Sequence, residues 1–505
     1  MCCMATNCTR DLPVRTNLMT IPVVTTDRGR FHIAIGGCSF YTQYASIYLS
    51  RLKIAHCRLE NQARRRWPEL PIRSVPDVKV DEECIIIGTI FRSSAQKPSI
   101  MRQLTLLEQV GGRLELEEQE RQHYLTRIAS SDDEMFLEDE VQRITLVASP
   151  HTDALDRLPT GVVTCLRGFE PARSEGTFTV LELAFLEPQP MRPIAAANVD
   201  SPCPPLLNSS GRWVGFVSGL GFAASAEVEN NGTSHGHALA LRLLGDWLRK
   251  MPLCRLFVLG DCIRSTDPGG LETLGVVQHA RFLSRRADAD SVMAMGMFDA
   301  WLSELPLGGG GGGGGFSVEL LPGVADCVSQ LLPQQPFHPL LFPRTTSRFG
   351  RGEGALVSST NPCYSEVHSR RILATSGQNV IDVHKYTIVG DTLDCMESLL
   401  HWGHIAPTCP DTLFAYPQMD TDTLLFSVDP KTGVSIDYPD IFVAGNQQAA
   451  QFRRASLELW NVSEGERKGA LLIAVPRFDV SYTMVLLELE TLRCVPLRFD
   501  LSRTE

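Results

Sequence analysis

Two histidine pairs, one carboxylate behind an apolar run and one glycine pattern are the places where this sequence could do chemistry. His235-Gly236-His237 sets two imidazoles one residue apart, and His401 and His404 stand at i, i+3. Imidazole is a common zinc ligand, but a zinc site needs three or four donors, and neither pair has carboxylates clustered beside it in the chain. Structural histidines are the expected reading of both pairs. Asp261 follows the apolar run Cys254–Gly260, so a strand end would present it at a loop tip. Gly219-Leu220-Gly221-Phe222-Ala223-Ala224 matches the G-x-G-x-x-A pattern of a dinucleotide-binding turn. The polar stretch Glu229 to Ser234 intervenes before any helix opens, so no helix N-terminus meets a pyrophosphate there. The 15 cysteines form no C-x-x-C pair, which removes zinc ribbons and dithiol redox motifs. Cys84, Cys165 and Cys254 sit in apolar runs, where Cys acts as a small buried hydrophobe.

The composition is that of an ordinary globular protein, with 43% apolar and 21% charged residues. A length of 505 residues predicts two to four domains. No apolar run is long enough for a membrane helix, and the start has no continuous apolar core, so neither a membrane span nor a secretory signal is expected. Without an export signal the thiols are expected reduced, and the sequons at Asn208 and Asn231 carry no weight. A net charge of −11 argues against a surface that wraps a nucleic-acid backbone. Arg64, Arg65 and Arg66 form a local basic patch, read as a solvated helix face.

Several elements must position these residues. Residues 1–36 are polar and aperiodic, and disorder is expected. In the segment 37–79, Tyr44, Ile47, Tyr48 and Leu52 fall at helical spacing, with Ser39 as N-cap and a stop before Pro68. Residues 80–190 read as β, with strands Cys84–Phe91, Val141–Val147, Val162–Arg167 and Thr177–Leu186 around a charged insert at 102–140. Short strands at this spacing predict a small all-β barrel of OB-fold type. Its neighbouring charges are mostly acidic, which favours a protein-binding platform over a single-strand binder. Residues 191–210 read as a linker. From 211 to 505 the pattern becomes α/β. WVGFVSG and Cys254–Gly260 look like strands buried on both faces, and helices are predicted over Ser234–Lys250, Gly270–Arg286 and Ala289–Leu305. The glycine run 308–315 is expected to be a flexible surface insertion. Leu320 to Pro343 carries five prolines (Pro322, Pro333, Pro336, Pro339 and Pro343) among Leu and Phe, which predicts a rigid, extended, half-buried loop. Beyond it the short strands Leu356–Ser359, Arg371–Thr375, Ile441–Ala444, Leu471–Val475, Tyr482–Leu489 and Cys494–Phe499 predict a second sheet, completing a β-sandwich flanked by helices.

The segment LPQQPFHPLLFP closely resembles a signature of the B-subunit family of replicative DNA polymerases, in its delta branch. YTQYASIYLSRL, VDEECIIIGTIFRSSAQKPS, FLEDEVQRI (read as one strand), STNPCYSEV, ATSGQNVIDVHKYT, GHIAPTCPDTLFAYP and DIFVAGN extend the resemblance, in family order, over about residues 39–500. The glycine run, the Pro322–Asp326 loop and the residues Gln418–Asp437 depart from it. The resemblance implies a calcineurin-like phosphoesterase architecture. An active member needs Asp, His and Asn ligands at loop tips around two ions, in the patterns D-x-H, G-D, G-N-H-D and G-H-x-H. This chain has Gly219-Leu220-Gly221, Gly260-Asp261-Cys262, Pro322-Gly323-Val324-Ala325-Asp326 and Gly445-Asn446-Gln447-Gln448 at those places. A neutral amide is a poor metal ligand and no general base. Gly219, Gly221, Asp261, Asn446 and Gln448 are therefore expected to be a degenerate remnant, with no catalytic residue, metal or cofactor.

What the resemblance implies for function is an accessory scaffold. It would join the Cys-rich C-terminal domain of the polymerase delta catalytic subunit to the third subunit, in the nucleus, for replication and repair synthesis. The sliding clamp and DNA would be reached through the complex, with no membrane involved. The expected partner interface is Pro333, Gln334, Gln335, Pro336, Phe337, His338 and Pro339, with Ser376, Gly377, Gln378, Asn379 and Asp382. Two alternatives stand beside it: a metal-dependent phosphodiesterase or 3′-exonuclease, and the corresponding accessory chain of polymerase alpha or epsilon.

Overall fold

The barrel strands turn one face inward, and those that also lie under a helix are apolar on both faces, while the others alternate apolar with polar residues. The computed structural model describes residues 29–33, 43–94, 127–150, 152, 155–174, 176–186, 189–190, 213–223, 233–264, 285–308, 315–350, 354–418, 421–427, 434–435, 438–455 and 469–501. The helix α1 (Ala45–Arg66) buries Ile47, Leu52, Ala55, Leu59 and Ala63 along one stripe and ends at Trp67, ahead of Pro68 as expected. Ser39, the expected N-cap, lies outside the described residues.

Six strands follow: β1 (Ile72–Arg73), β2 (Cys84–Ser93), β3 (Glu134–Glu138), β4 (Arg143–Ala148), β5 (Val163–Phe169) and β6 (Thr177–Ala184). Their order is β1-β2-β3-β4-β6-β5, and a further β2–β5 pairing closes them into the expected barrel. Along β2, Cys84, Ile86 and Ile90 join Leu137, Leu146, Leu166 and Phe178 in one core. Ile85 and Ile87 pack under α1 with Leu52, Leu59 and Trp67.

In this N-terminal half the sequence reading differs at two places. FLEDEVQRI is a hairpin rather than one strand, because the Asp139 carboxylate accepts the Val141 and Gln142 amides at 2.7 Å each and reverses the chain. The charged insert thus supplies β3; its residues 102–126 lie outside the described set. Disorder over 1–36 does not hold at residues 29–33. Phe31 is buried and stacks on Tyr364 at 5.9 Å, and Gln335 bonds the Phe31 carbonyl (2.9 Å) and the Ile33 amide (3.0 Å). One large aromatic and a waiting amide order what composition alone reads as loose.

The rest of the chain runs β7 (Gln189–Pro190), β8 (Trp213–Val217), α2 (Thr233–Leu248), β9 (Leu253–Leu259), α3 (Arg285–Glu304), β10 (Ser317–Leu321), α4 (Pro343–Phe349), β11 (Leu356–Ser358), β12 (Cys363–Val367) and β13 (Arg370–Thr375). It continues with α5 (Gln378–Tyr386), α6 (Thr392–Trp402), β14 (Val434–Ser435), β15 (Ile441–Gln447), β16 (Gln451–Arg454), β17 (Leu471–Pro476), α7 (Phe478–Ser481), β18 (Thr483–Glu488) and β19 (Arg493–Arg498). Two large sheets result, β11-β10-β9-β8-β18-β19 and β12-β13-β15-β17-β16, beside a two-stranded pairing of β7 with β14. Val214, Phe216, Phe257, Leu259, Ile372, Val443, Ile473 and Val485 form the core they share. Side chains of α2 and α3 pack against β8–β10, while those of α5 and α6 join Leu373, Phe442 and Leu472 of the other sheet.

The sequence reading missed α5 and α6. Asp391 and Asp394 cap α6 reciprocally, and Leu393, Met396 and Leu400 bury at helical spacing. The predicted helix Gly270–Arg286 falls on residues largely outside the described set, as do 309–314 of the glycine run and the linker 191–210. Among the described residues no helix is long and apolar enough to cross a membrane.

Strands β8, β9 and β10 run parallel, as do β13, β15 and β17. Their C-terminal loops therefore gather along one rim of the sandwich.

Candidate functional site at the strand-end rim

Arg477, the residue after β17, occupies the middle of that rim. Its guanidinium bonds the Asp261 carboxylate at 2.8 Å and takes both oxygens of Asp479 at 3.1 Å. A planar fork suits such bridging, and the one fixed cation serves two carboxylates. Arg264 adds a second positive group 3.7 Å from Asp479. Two acidic side chains are thus already neutralised from within the chain.

The glycines leave room for this arrangement. Gly219 and Gly221 have φ of +60° and +63°, in the left-handed region that disfavours side chains. A Cβ at Gly219 would stand 3.0 Å from the Cβ of Arg477 and 2.9 Å from Asn446 Oδ1, and one at Gly221 would stand 2.9 Å from Asp479. An Asp and a His at these two positions would collide with the Arg477–Asp479 pair.

Of the remaining positions, all but Gln448 are tied into the body by hydrogen bonds. Asn446 donates to the Leu259 and Ser376 carbonyls at 3.2 and 3.0 Å, so its amide ties loops together. Gln447 donates to the Gly445 and Gly377 carbonyls, and Gln448 is exposed. Asp326 accepts from the amides of Gly323 (2.7 Å), Cys262 (2.8 Å) and Ile263 (3.2 Å). Burial, then the charge of Asp261, push its carboxyl up to about 7, and these three N–H groups oppose the rise. Among the described residues no three His, Cys, Asp or Glu side chains converge as a metal site would require.

Sequence reasoning placed Asp261 here and missed Arg477 and Asp479. The signal was present: Pro476-Arg477-Phe478-Asp479 follows the apolar run Leu471–Val475 as a loop tip follows a strand.

Many of the polar residues singled out as an interface are buried. Gln334 is buried outright, and its amide donates to the Gly323 and Ser329 carbonyls. Asn361 donates to Gln334 (2.6 Å), Ser376 (2.8 Å) and Gln378 (3.0 Å), so one network pins the proline segment to the start of α5. Asn379 donates to the Ile405 carbonyl, and Asp382 accepts from Thr412. Pro333, Phe337 and Gly377 are buried, Gln335 and Pro336 are half-buried, and His338 and Pro339 are exposed. The segment is half-buried as expected, with a turn at Pro339–Leu341.

His401 and His404 have separate partners. His401 packs edge-on against Phe185 at 4.8 Å. His404 accepts the Ala406 amide on Nδ1 (3.0 Å), so Nε2 carries the proton it donates to Asp422 (2.9 Å). His237 stacks on Tyr482 at 6.3 Å, while the His235 side chain and residues 224–232 of the dinucleotide-like stretch lie outside the described set.

Burial pushes His401 and His404 each down to about 4. The unfolded chain binds a proton near pH 6.5 that the folded imidazoles refuse until about pH 4. Stability should therefore fall as pH drops through this window, on the order of 2–3 kcal/mol for His404. Urea melts between pH 7 and 4 check this, and His404→Gln should flatten the slope.

A family model described as DNA polymerase delta subunit OB-fold domain matches residues 43–183, spanning α1 and the barrel. A second, for the B subunit of DNA polymerase alpha/epsilon, matches residues 216–454, from β8 to β16. The chain belongs to the B-subunit family of replicative DNA polymerases. It is 28% identical over 478 residues to the DNA polymerase delta subunit 2 of Drosophila melanogaster, covering 92% of this chain and 95% of that one. It is 27% identical over 499 residues to the DNA polymerase delta small subunit of Saccharomyces cerevisiae, covering 91% and 90%. The corresponding figures for the rice protein of that name are 28% over 469 residues, covering 91% and 94%. In this B-subunit chain, Arg477 lies beyond both matched spans.

Proposed function

We propose that the chain is a non-catalytic accessory subunit of DNA polymerase delta. It joins the Cys-rich C-terminal domain of the catalytic subunit to the third subunit and serves replication and repair synthesis in the nucleus. The observation that carries this reading is similarity along nine-tenths of the chain to proteins named as delta small subunits. The match to the delta OB-fold model favours delta over alpha or epsilon. Two sheets flanked by helices, with loops gathered at the strand ends, suit a calcineurin-like phosphoesterase architecture. The Arg477 bridge leaves it short of ligands, which supports a holding role over hydrolysis.

The domain assignment follows: a helical segment at 37–79, an OB barrel at 80–190, a linker at 191–210 and the phosphoesterase-like body at 211–505. The buried network around Asn361, Gln334 and Gln378 shapes the proline loop. His338 and Pro339, exposed at its tip, are offered to the partner. The clamp and DNA are reached through the assembled complex.

Co-expression of the full chain with the catalytic C-terminal domains of polymerases delta, alpha and epsilon tests this. Co-elution with the delta domain alone, and recruitment of the third subunit to that pair, is the expected result. Co-elution with another domain, or with none, contradicts it.

A further inference from the structure

Among the described residues, the helix α3 carries an apolar face that no other element covers. Val292 is 71% exposed, Met293 55% and Met297 43%. The adjoining turn presents Leu340, 70% exposed. Between Ser291 and Ser303 the one charged residue is Asp299, and it is buried, capping α4 through the Arg344 and Thr345 amides. Solvated helix faces are normally charged, and flexible Met side chains suit a contact surface.

Gly296 sits in the middle of this face with nothing within 4 Å of where its Cβ would stand. Glycine in a helix interior is unfavourable, and no packing among the described residues asks for it. A bare backbone there lets a second helix approach closely.

Among the described residues the border of the face carries more positive than negative charge: its one exposed carboxylate, Glu304 at the end of α3, is paired with Arg249. Arg344 and Arg348 on α4 are exposed along one side, and Arg348 bonds the Ser303 carbonyl of α3. On the other side Trp301 bonds the Leu241 carbonyl, and the next residue, Arg242, is exposed. In a chain of net charge −11 such a border is distinctive. A second copy docking face to face would set these arginines against one another.

We propose that this face of α3 docks an amphipathic helix of a partner chain, apolar on its inner side and acidic on its flanks. Placing benzoylphenylalanine at position 297 of the full-length chain in cells, followed by irradiation and mass spectrometry of the linked peptide, tests the assignment. The expected product is one dominant peptide from another polypeptide, apolar at i, i+3 and i+4 with flanking Asp or Glu. Its yield should exceed that from the exposed barrel position Val141 by about tenfold. Met293→Glu, Gly296→Leu and the charge reversal Arg344→Glu/Arg348→Glu should each cut the yield with the melting temperature held. Linkage to a second copy, to lipid or to a peptide without acidic flanks overturns the proposal. So does a yield no higher than at Val141, or one that all three variants leave unchanged.

Discussion

Replacing Arg51 by methionine should destabilise the protein by about 3–5 kcal/mol. Arg51 is 1% exposed, yet every direction of its guanidinium is used. Nε bonds Asp422 at 2.6 Å, one terminal nitrogen bonds the Gly161 and Pro407 carbonyls at 3.0 and 2.8 Å, and the other bonds the Cys409 carbonyl at 2.7 Å. Burial disfavours the Asp422 charge, but Arg51, then His404, hold its carboxyl far below the usual carboxylate range. Methionine keeps most of the stem's packing and removes the charge, so the loss measured is that of a buried carboxylate left without its cation and of three carbonyls left without their donor. The bonds also join α1, the barrel at Gly161 and the body at Pro407 and Cys409. Denaturation followed by urea should therefore shift to a lower midpoint and split into two transitions. Arg51→Met/Asp422→Asn should recover part of the loss, because the orphaned carbonyls remain. A shift below about 1 kcal/mol would show that the cluster contributes no more than a surface pair.

Arg477→Met is expected to cost about 2–4 kcal/mol, less than a fully buried pair because its side chain is 34% exposed and water can reach it. Asp261 and Asp479 would then face each other with their shared cation gone, 10% and 5% exposed respectively. Arg477→Lys should lose roughly half as much, since one ammonium cannot fork to both carboxylates. Arg477→Met/Asp261→Asn/Asp479→Asn should restore most of the melting temperature. If the triple variant melts no higher than Arg477→Met, the rim is held by something other than this charge bridge.

Much of the frame was legible because apolar runs announce buried strands. WVGFVSG, CRLFVLG and the run before Pro476 became β8, β9 and β17, and the small barrel followed from its turn residues. The strand β3 was read only in part, within FLEDEVQRI: Met135 and Leu137 face inward between Glu134, Phe136 and Glu138, a period of two hidden in a charged segment. What the sequence could not disclose is pairing at a distance. Arg477 and Asp261 meet across 216 positions. The polar letters of Pro333–Gln335 and Ser376–Asp382 suggest a surface, but Gln334, Asn361, Ser376 and Gln378 satisfy one another and turn inward. Composition cannot tell a solvated amide from one whose partner arrives from another strand.

The central claim is that the rim carries its own cation and holds partners without cleaving esters. Equilibrating the purified chain with manganese, counting bound ions and assaying hydrolysis of bis(p-nitrophenyl) phosphate addresses it most directly. The account predicts no stoichiometric ion and no hydrolysis above buffer. About two ions per chain, with cleavage abolished by Asp261→Asn, would contradict it.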